Sequence, residues 1–460
     1  SCQEDCAKGL RTWLFEIIKH KNKYIMSKYN FKIENYHAIG HADIDIDGIT
    51  VIAGGNGCGK STLSRWLYYI LNIIEDYEFL LMRDFHNTIG RKISDLMLSA
   101  SVMSVYDKDN YKELYGLKNT FDQWIYCADY NVEKLHQDYN EFIEPFSKLL
   151  DTYLSSESDE NSKKRILSEL NITKDSDPMA LFKDNTEIFF TDALSKYTIL
   201  KEERKIESIW ELVFSEYQEK DEHPSNIQLK EDGVSILTEN IGTLLGIKRS
   251  LYIDTPIVAS FKETNKPYWK DFLHYVKYKS ANSTLNDKER KILKVIESMI
   301  NGKIIEEKNY STTEMVYKAK SGVQVKLDKV ASGFKTFAYM QRLIENGWLD
   351  NKTLLEIDEP ETNLHPQWIV EFAHLLVMVN KELGTKIMIA SHNPDMVSAI
   401  RYISEKEGIL EKTHFYLAVQ RENSELFDYK YLGNDIDPVF ESFNKSYETL
   451  QKYVENYGNL

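Results

Sequence analysis

The sequence predicts an α/β fold: a mixed, largely parallel core sheet with an antiparallel N-terminal β part, carrying a large, mostly helical insertion. Three observations predict it. A glycine-rich loop sits between a short apolar run and a helix-like run at residues 48–70. Two more apolar runs, each ending in polar or acidic residues, lie far along the chain at residues 353–360 and 386–393. The interval between them is dominated by Leu, Ile, Phe and Tyr at three- and four-residue steps, the period of a helix.

In chain order, residues 1–27 form an N-terminal extension with mixed basic and aromatic residues such as Arg11, Trp13, Phe15 and Lys19. It lacks the apolar core and cleavage site of a signal peptide, and no function is assigned to it. Residues 31–46 alternate apolar and polar, with breaks at Gly40 and at Asp47-Gly48, which predicts an antiparallel hairpin. Gly48-Ile49-Thr50-Val51-Ile52-Ala53 then reads as a short buried strand, and residues 63–70 as a helix.

Between them Gly54-Gly55-Asn56-Gly57-Cys58-Gly59-Lys60-Ser61-Thr62 fits the pattern G-x-x-x-x-G-K-[ST]. A strand, a glycine loop and a helix N-terminus make a phosphate cradle. Glycine lets backbone N–H groups turn toward an anion without a Cβ clash. In such a loop Lys60 places charge on the β- and γ-phosphates and the Ser61 hydroxyl ligates Mg²⁺. Pattern, flanks and position agree, which separates this loop from a chance glycine cluster. Gly54, Asn56, Gly57, Cys58, Gly59, Lys60, Ser61 and Thr62 are the candidate nucleotide-binding residues. A thiol at Cys58, near loop amides and Lys60, is a candidate for a depressed pKa, although a small residue that simply fits is the plainer reading.

Residues 72–250 read as mostly helical, interrupted by polar loops at 155–162 and 219–225. Residues 251–258 look like a return strand, 287–300 like a helix, and 315–327 like a hairpin turning at Ser321-Gly322. Thr353-Leu354-Leu355-Glu356-Ile357-Asp358-Glu359-Pro360 is an apolar strand ending in two acids. Asp358 is expected to hold Mg²⁺ opposite Ser61. Glu359, one residue on, points elsewhere in a strand and is placed to polarise an attacking water. Residues 368–379 read as a core helix. Lys386-Ile387-Met388-Ile389-Ala390 is a further strand running into Ser391-His392-Asn393-Pro394. A polar His at the C-terminal edge of a parallel strand faces the ligand crevice of such a sheet. His392 is therefore expected to sense the γ-phosphate and to orient water or Glu359.

The chain has 460 residues, 42% apolar and 28% charged, with a net charge of −15. That composition suits a globular protein of two or three domains, or one large domain with an insertion. The acidity argues against a non-specific grip on nucleic acid by the whole surface. No apolar run reaches the ~20 residues that span a bilayer. The four cysteines, Cys2, Cys6, Cys58 and Cys127, do not form a disulfide framework, so a cytoplasmic location is expected.

Taken together, these residues resemble the ABC-type ATPase heads of the SMC and RecF group, and within it the OLD-like ATPases of bacterial anti-phage systems. Asp358-Glu359-Pro360-Glu361-Thr362-Asn363-Leu364-His365-Pro366 looks like the group's Walker B with its D-loop, and Ala390-Ser391-His392-Asn393 like its switch histidine. Ala331-Ser332-Gly333-Phe334-Lys335 occupies the place of the ABC signature. It keeps Ser332-Gly333 but not the full transporter-type motif. Gln123 and Gln137 are the candidates for a Q-loop glutamine. The spacer from Lys60 to Asp358 is longer than in a transporter ATPase and far shorter than in a long-armed SMC protein. The residues after His392 show no Toprim signature, so no nuclease domain is expected. The resemblance implies a P-loop head made of residues 28–72 and 303–460, with residues 73–302 as the insertion. It also implies two copies, or a higher oligomer, that sandwich ATP and Mg²⁺, with the phosphate loop of one copy meeting Ser332 and Gly333 of the other. Lys60, Glu359 and His392 would be the catalytic residues, Ser61 and Asp358 the metal ligands.

Three function classes follow from that resemblance. The first is an ATP-gated switch controlling a protein effector, a nuclease or toxin encoded nearby, in anti-phage defence. The second is a DNA repair or recombination ATPase, with Lys277, Lys279, Lys288, Arg290, Lys291 and Lys294 as its best candidate surface. The third is a transporter ATPase subunit, against which the long insertion and partial signature speak.

Overall fold

The computed structural model describes residues 27–123, 130–173, 177–218, 222–254, 267–280, 284–308 and 313–441. Cys2, Cys6, Cys127 and the N-terminal extension up to residue 26 lie outside the described residues. The chain divides into two compact units. One runs up to Glu75 and resumes at Ile209; the other is Asp76–Ser208.

The first unit carries the sheet. Its strands are β1 (Tyr29–Tyr36), β2 (Ile39–Ile46), β3 (Ile49–Ala53), β4 (Asn226–Glu231), β5 (Val234–Ser235), β6 (Arg249–Ile253), β7 (Gly302–Lys308), β8 (Thr313–Ala319), β9 (Gln324–Lys326), β10 (Thr353–Asp358), β11 (Lys386–Ser391), β12 (Thr413–Gln420) and β13 (Phe427–Tyr431). Ten of them form one sheet in the order β5-β4-β1-β2-β13-β12-β3-β11-β10-β6, and β7-β8-β9 form a second. From β12 to β6 neighbouring strands run parallel. From β5 to β2 they run antiparallel. The predicted α/β class, with a parallel core and an antiparallel N-terminal part, is the class the chain adopts.

Side-chain patterning explains the division. Every residue of β3, β10 and β11 is buried, as parallel strands covered on both faces require. β1 and β2 alternate, so Phe31, Ile33, Ala42 and Ile44 face the core while Lys32 and Asp43 do not. Their turn is at His37-Ala38, with His37 at φ 50°. Gly40, expected as a break, lies inside β2. A Cβ there would come within 2.7 Å of Arg421, whose guanidinium is paired with Asp428 over this position.

α1 (Lys60–Glu75) follows the phosphate loop. The helical unit contributes α2 (Tyr77–Met103), α3 (Lys108–Phe121), α4 (Val132–Ser155), α5 (Glu160–Glu169) and α6 (Pro178–Glu203). The division falls in α7 (Ile206–Tyr217). Then come α8 (Pro267–Lys277), α9 (Asp287–Met299), α10 (Ser332–Glu345), α11 (Pro366–Leu383) and α12 (Pro394–Lys406). α1, α11 and α12 make the crossovers between parallel strands. Prolines at the first turn of α11 and α12 start them, and Gly384 at φ 75° ends α11. Asn72 of α1 clamps edge strand β6: its Nδ2 donates to Ser250 O at 3.1 Å and its Oδ1 accepts from Ser250 N at 3.0 Å. From Ile209 onward α7 packs in the sheet unit, with Trp210 edge-on to Trp66 at 6.1 Å and Tyr217 stacked on Tyr69 at 4.2 Å.

The described residues of Asp76–Ser208 form helices joined by short turns and have their own core. Ile89, Ile93, Phe142, Phe146, Leu149 and Leu150 are buried there, and Phe146 stacks on Phe182 at 5.1 Å. Asp107, Asn131, Asp159 and Asp177 cap successive helices, each accepting from a first-turn amide. The expected insertion, 73–302, is thus longer than this compact unit, and the residues from Ile209 on belong with the sheet. The expected return strand is β6, Arg249–Ile253; residues 255–258 lie outside the described residues.

Two strands were missed in the helical reading of residues 72–250, β4 and the two-residue β5 paired with it. β4 pairs with β1 and buries Ile227, Leu229 and Glu231 on one face. The inward position of a carboxylate hides the period. Glu231 accepts from Tyr29 Oη, from Leu245 N at 2.8 Å and from Gly246 N at 2.6 Å. Glu231→Ala leaves these buried donors without an acceptor, at about 1–3 kcal/mol for each that stays dry. The expected result is a lower denaturation midpoint by urea titration, with far-UV circular dichroism of the native state unchanged. An unshifted midpoint would show that the network contributes nothing.

Candidate nucleotide site

The site is assembled by strand register. Ala53 of β3 pairs with Ser391 of β11, Ala390 pairs with Asp358 of β10, and Ile357 pairs with Ile253 of β6. Four strands therefore end at one level. The loop after β3, Glu359 after β10, His392 after β11 and Asp254 after β6 all emerge at the same sheet edge, the ligand-binding edge of a parallel α/β sheet.

The phosphate loop is tied to its neighbours. Gly54 N donates to Ser391 O at 3.3 Å, and Tyr429 Oη donates to Cys58 O at 2.8 Å. Gly57 and Gly59 adopt φ 79° and 93°. At Gly59 a Cβ would also meet Ile39 Cγ1 at 2.8 Å, so both conformation and space demand glycine. At Gly55 and Gly57 a built Cβ meets nothing within 4 Å, so the loop faces open space there. Asn56 is exposed. Lys60 opens α1, is 5% exposed, and donates from Nζ to Gly54 O at 3.0 Å and Gly55 O at 2.9 Å. Ser61 and Thr62 follow in the first turn, half-buried, and that turn has no acidic residue. Cys58 is buried with Sγ 3.8 Å from Lys60 Nζ. Burial raises its thiol pKa and outweighs the lowering by Lys60, opposite to the depression considered from sequence.

Asp358 is buried at the end of β10. It accepts from Ser61, and Tyr252 Oη lies 3.3 Å from its Oδ2. Burial raises its carboxyl above the usual range, the Ser61 hydrogen bond lowers it, and Asp254 and Glu359 raise it again. The strand ends there. Glu359 takes φ 49°, a left-handed backbone, while its N–H donates to Ala390 O at 2.7 Å. That turn, rather than strand alternation, carries its side chain away from Asp358 and toward β11. Its Oε1 lies 3.2 Å from His392 Nδ1. Lys60, Ser61, Asp358, Glu359 and His392 are thereby brought to one edge. Gly333 lies in the first turn of α10, where a Cβ would meet Leu364 and Trp368 at 3.2 Å; Ser332 opens that helix.

Several neighbours escaped the sequence reading. Glu361 was only a letter in a motif, yet its buried carboxylate accepts from Ser391 Oγ at 2.8 Å and from His392 N at 3.0 Å. Glu356 is fully buried with Ser250 Oγ donating to it at 2.7 Å, and burial drives its carboxyl well up. Asp254 follows β6 and accepts from Tyr268 Oη at 2.7 Å. A signal for it existed: Leu251-Tyr252-Ile253-Asp254 is an apolar run ending in an acid, as is Leu354 to Asp358. Gln123 and Gln137 both fall in the helical unit, and Gln137 Nε2 donates to Glu141 at 2.7 Å. The basic stretch is partly neutralised, since Lys291 pairs with Glu382 at 2.6 Å and Lys288 donates to Glu382 O at 3.0 Å. Among the described residues no helix is long and apolar enough to cross a membrane.

A family model described as AAA ATPase domain matches residues 26–397. Among solved structures the chain is similar to the Smc head domain with an extended coiled coil from Pyrococcus furiosus, bound to the C-terminal domain of ScpA. Identity there is 10%, over 93% of this chain and 100% of that one, with a TM-score of 0.34. It is similar also to the SMC head domain from Thermotoga maritima, at 8% identity over 88% of this chain and 98% of that one, TM-score 0.32. No curated protein matches the chain.

The raised thiol of Cys58 predicts slow alkylation. Because its pKa lies above that of a free cysteine, its thiolate fraction at pH 8 is the smaller one and grows only at higher pH. Iodoacetamide labelling, read at the Cys58 peptide by mass spectrometry, should run well below the rate of the unfolded chain. A native rate matching or exceeding it would mean an activated thiol.

Proposed function

We propose, on the premise that the chain belongs to the AAA ATPase domain family, that it binds and hydrolyses ATP and closes as a dimer around it. In this reading the closure is a switch that regulates a partner effector, in bacterial anti-phage defence. The observation that carries the hydrolytic part is the convergence of the Gly54–Thr62 loop, Asp358, Glu359 and His392 at one sheet edge.

The residues fit a nucleoside triphosphate with Mg²⁺. The loop faces open space at Gly55 and Gly57, and the first turn of α1 offers amides with no acidic side chain to compete. Lys60, held on two loop carbonyls, carries the positive charge a β/γ-phosphate pair needs. The Ser61 hydroxyl and the Asp358 carboxylate already meet, as two ligands of one cation would. Bound Mg²⁺ would supply charge neutralisation on the phosphate oxygens. Glu359, half-exposed beside His392, takes the proton of the attacking water, and His392 offers its ring to the terminal phosphate.

Dimer closure is supported by α10. Its N-cap is Ala331, which supplies no side-chain acceptor, and its first turn contains no acid. That helix start suits an anion brought by a second copy, whose γ-phosphate would meet Ser332 and Gly333. Loss of that anion on hydrolysis releases the copies. The defence role rests on the resemblance of residues 358–366 to OLD-like ATPases.

Lys60→Ala should abolish binding of a fluorescent ATP analogue. Glu359→Gln should keep binding, lose ~10²–10⁴-fold in turnover, and accumulate as an ATP-dependent dimer by light scattering. Wild-type turnover in Glu359→Gln would remove Glu359 from the role of base. Turnover of the wild type, with and without linear duplex DNA, separates the switch from the repair reading. A rate indifferent to DNA is expected, and strong stimulation lost in Glu359→Gln would favour a DNA-engaging ATPase instead.

A further inference from the structure

The histidine at the end of β11 has two carboxylates beside its ring, at ion-pair distance and outside hydrogen-bond geometry. Its Nδ1 lies 3.2 Å from Glu359 Oε1 and 3.4 Å from Glu361 Oε1. The two carboxylates differ in surroundings. The Glu359 side chain is 32% exposed, that of Glu361 3%. The contacts of Glu361 are also one-sided. Its Oε1 accepts from Ser391 Oγ at 2.8 Å and from the His392 backbone N–H at 3.0 Å, while its Oε2 has no hydrogen-bond partner among the described residues. All of these polar contacts go to the two-residue turn that carries the imidazole.

We propose that Glu361 is a positioning residue for His392, holding the ring by Nδ1 so that Glu359 can turn to the attacking water without releasing it. The proposal rests on the hydrolytic reading of Glu359 and His392. Its physical argument has three parts. Ionised carboxylates are acceptors only, so a ring nitrogen facing two of them carries a proton, which fixes the Nδ1–H tautomer and leaves Nε2 for the nucleotide. A buried carboxylate with two donors on one oxygen is held in place, whereas an exposed one can exchange partners. And a base that both holds a histidine and takes a proton from water would have to give up one contact to make the other. With two carboxylates the tasks separate: Glu359 reacts, Glu361 anchors. Burial pushes the Glu361 carboxyl up, and the Ser391 and His392 donors draw it back.

The test is a double-mutant cycle with a spectroscopic control, on the full chain. Glu361→Leu removes the acceptor while keeping an apolar side chain of similar size, and Glu361→Gln keeps an acceptor oxygen. Glu361→Leu should lower kcat for ATP by about 10- to 100-fold, the range for carboxylates that stand behind functional imidazoles, with ATP affinity unchanged. Glu361→Gln should recover much of that loss. In a His392→Ala background Glu361→Leu should have no further effect. Additive losses in the cycle would overturn the proposal, since a general structural role would act without His392. Independently, ¹⁵N NMR of labelled histidine should report an Nδ1–H ring at His392 in the wild type. A ring protonated only at Nε2 would overturn the proposal even if neither variant folds. The ring spectrum needs no turnover. A chain that hydrolyses no ATP would therefore sink the proposed function, while the spectrum still decides whether Glu361 holds the ring.

Discussion

Parallel pairing of β3, β11, β10 and β6 is the constraint on which the site depends. The ladder locks Ala53 to Ser391, Ala390 to Asp358 and Ile357 to Ile253, so residues hundreds of positions apart leave the sheet at one level. A slip of one residue in β10 would send Asp358 to the opposite face and bring Ile357 to its place. Full burial of these strands specifies the register, because a slip would also turn Glu356 away from Ser250, the hydroxyl that donates to it. The helix after the loop then does two jobs: its N-terminus presents Lys60 and Ser61, and its far end clamps the edge strand through Asn72.

That same edge gathers charge that is costly to bury. Asp358 is buried, which raises its carboxyl, and Asp254 and Glu359 both repel its charge and raise it further. Lys60 and Ser61 offset part of it. A bound cation would reverse the sign of that local field. Glu361 shows the other solution: a carboxylate made tolerable by donors from Ser391 and His392.

The helical unit follows different physics. Its core is built from helices with Asp and Asn caps and from aromatic side chains such as Phe146 and Phe182, with no motif that reads as chemistry. The second sheet and α10 stay with the nucleotide machinery: Phe334 lies edge-on to Tyr317 at 5.3 Å and to Trp368 at 4.7 Å, tying the Ser332-Gly333 turn to the segment after Glu359.

Local patterns alone determined the phosphate loop with its flanking strand and helix, the apolar strands ending at Asp358 and Ala390, the first hairpin, and the α/β class. Each is written in contiguous residues: glycines where φ is positive, prolines at helix starts, runs of apolar residues in strands buried on both faces. Tertiary structure decided the rest, because the cause lies in a distant partner. β4 was hidden since its inward Glu231 is acceptable only opposite Tyr29 and the amides of Leu245 and Gly246. Gly40 is a packing position rather than a break because the Arg421–Asp428 pair lies over it. Cys58 is a raised thiol because the fold buries it, although its sequence neighbour Lys60 pulls the other way. Glu361 and Asp254 are visible only once register sets them beside residues from other strands, for a carboxylate's surroundings are a property of the space around it and not of the chain on either side.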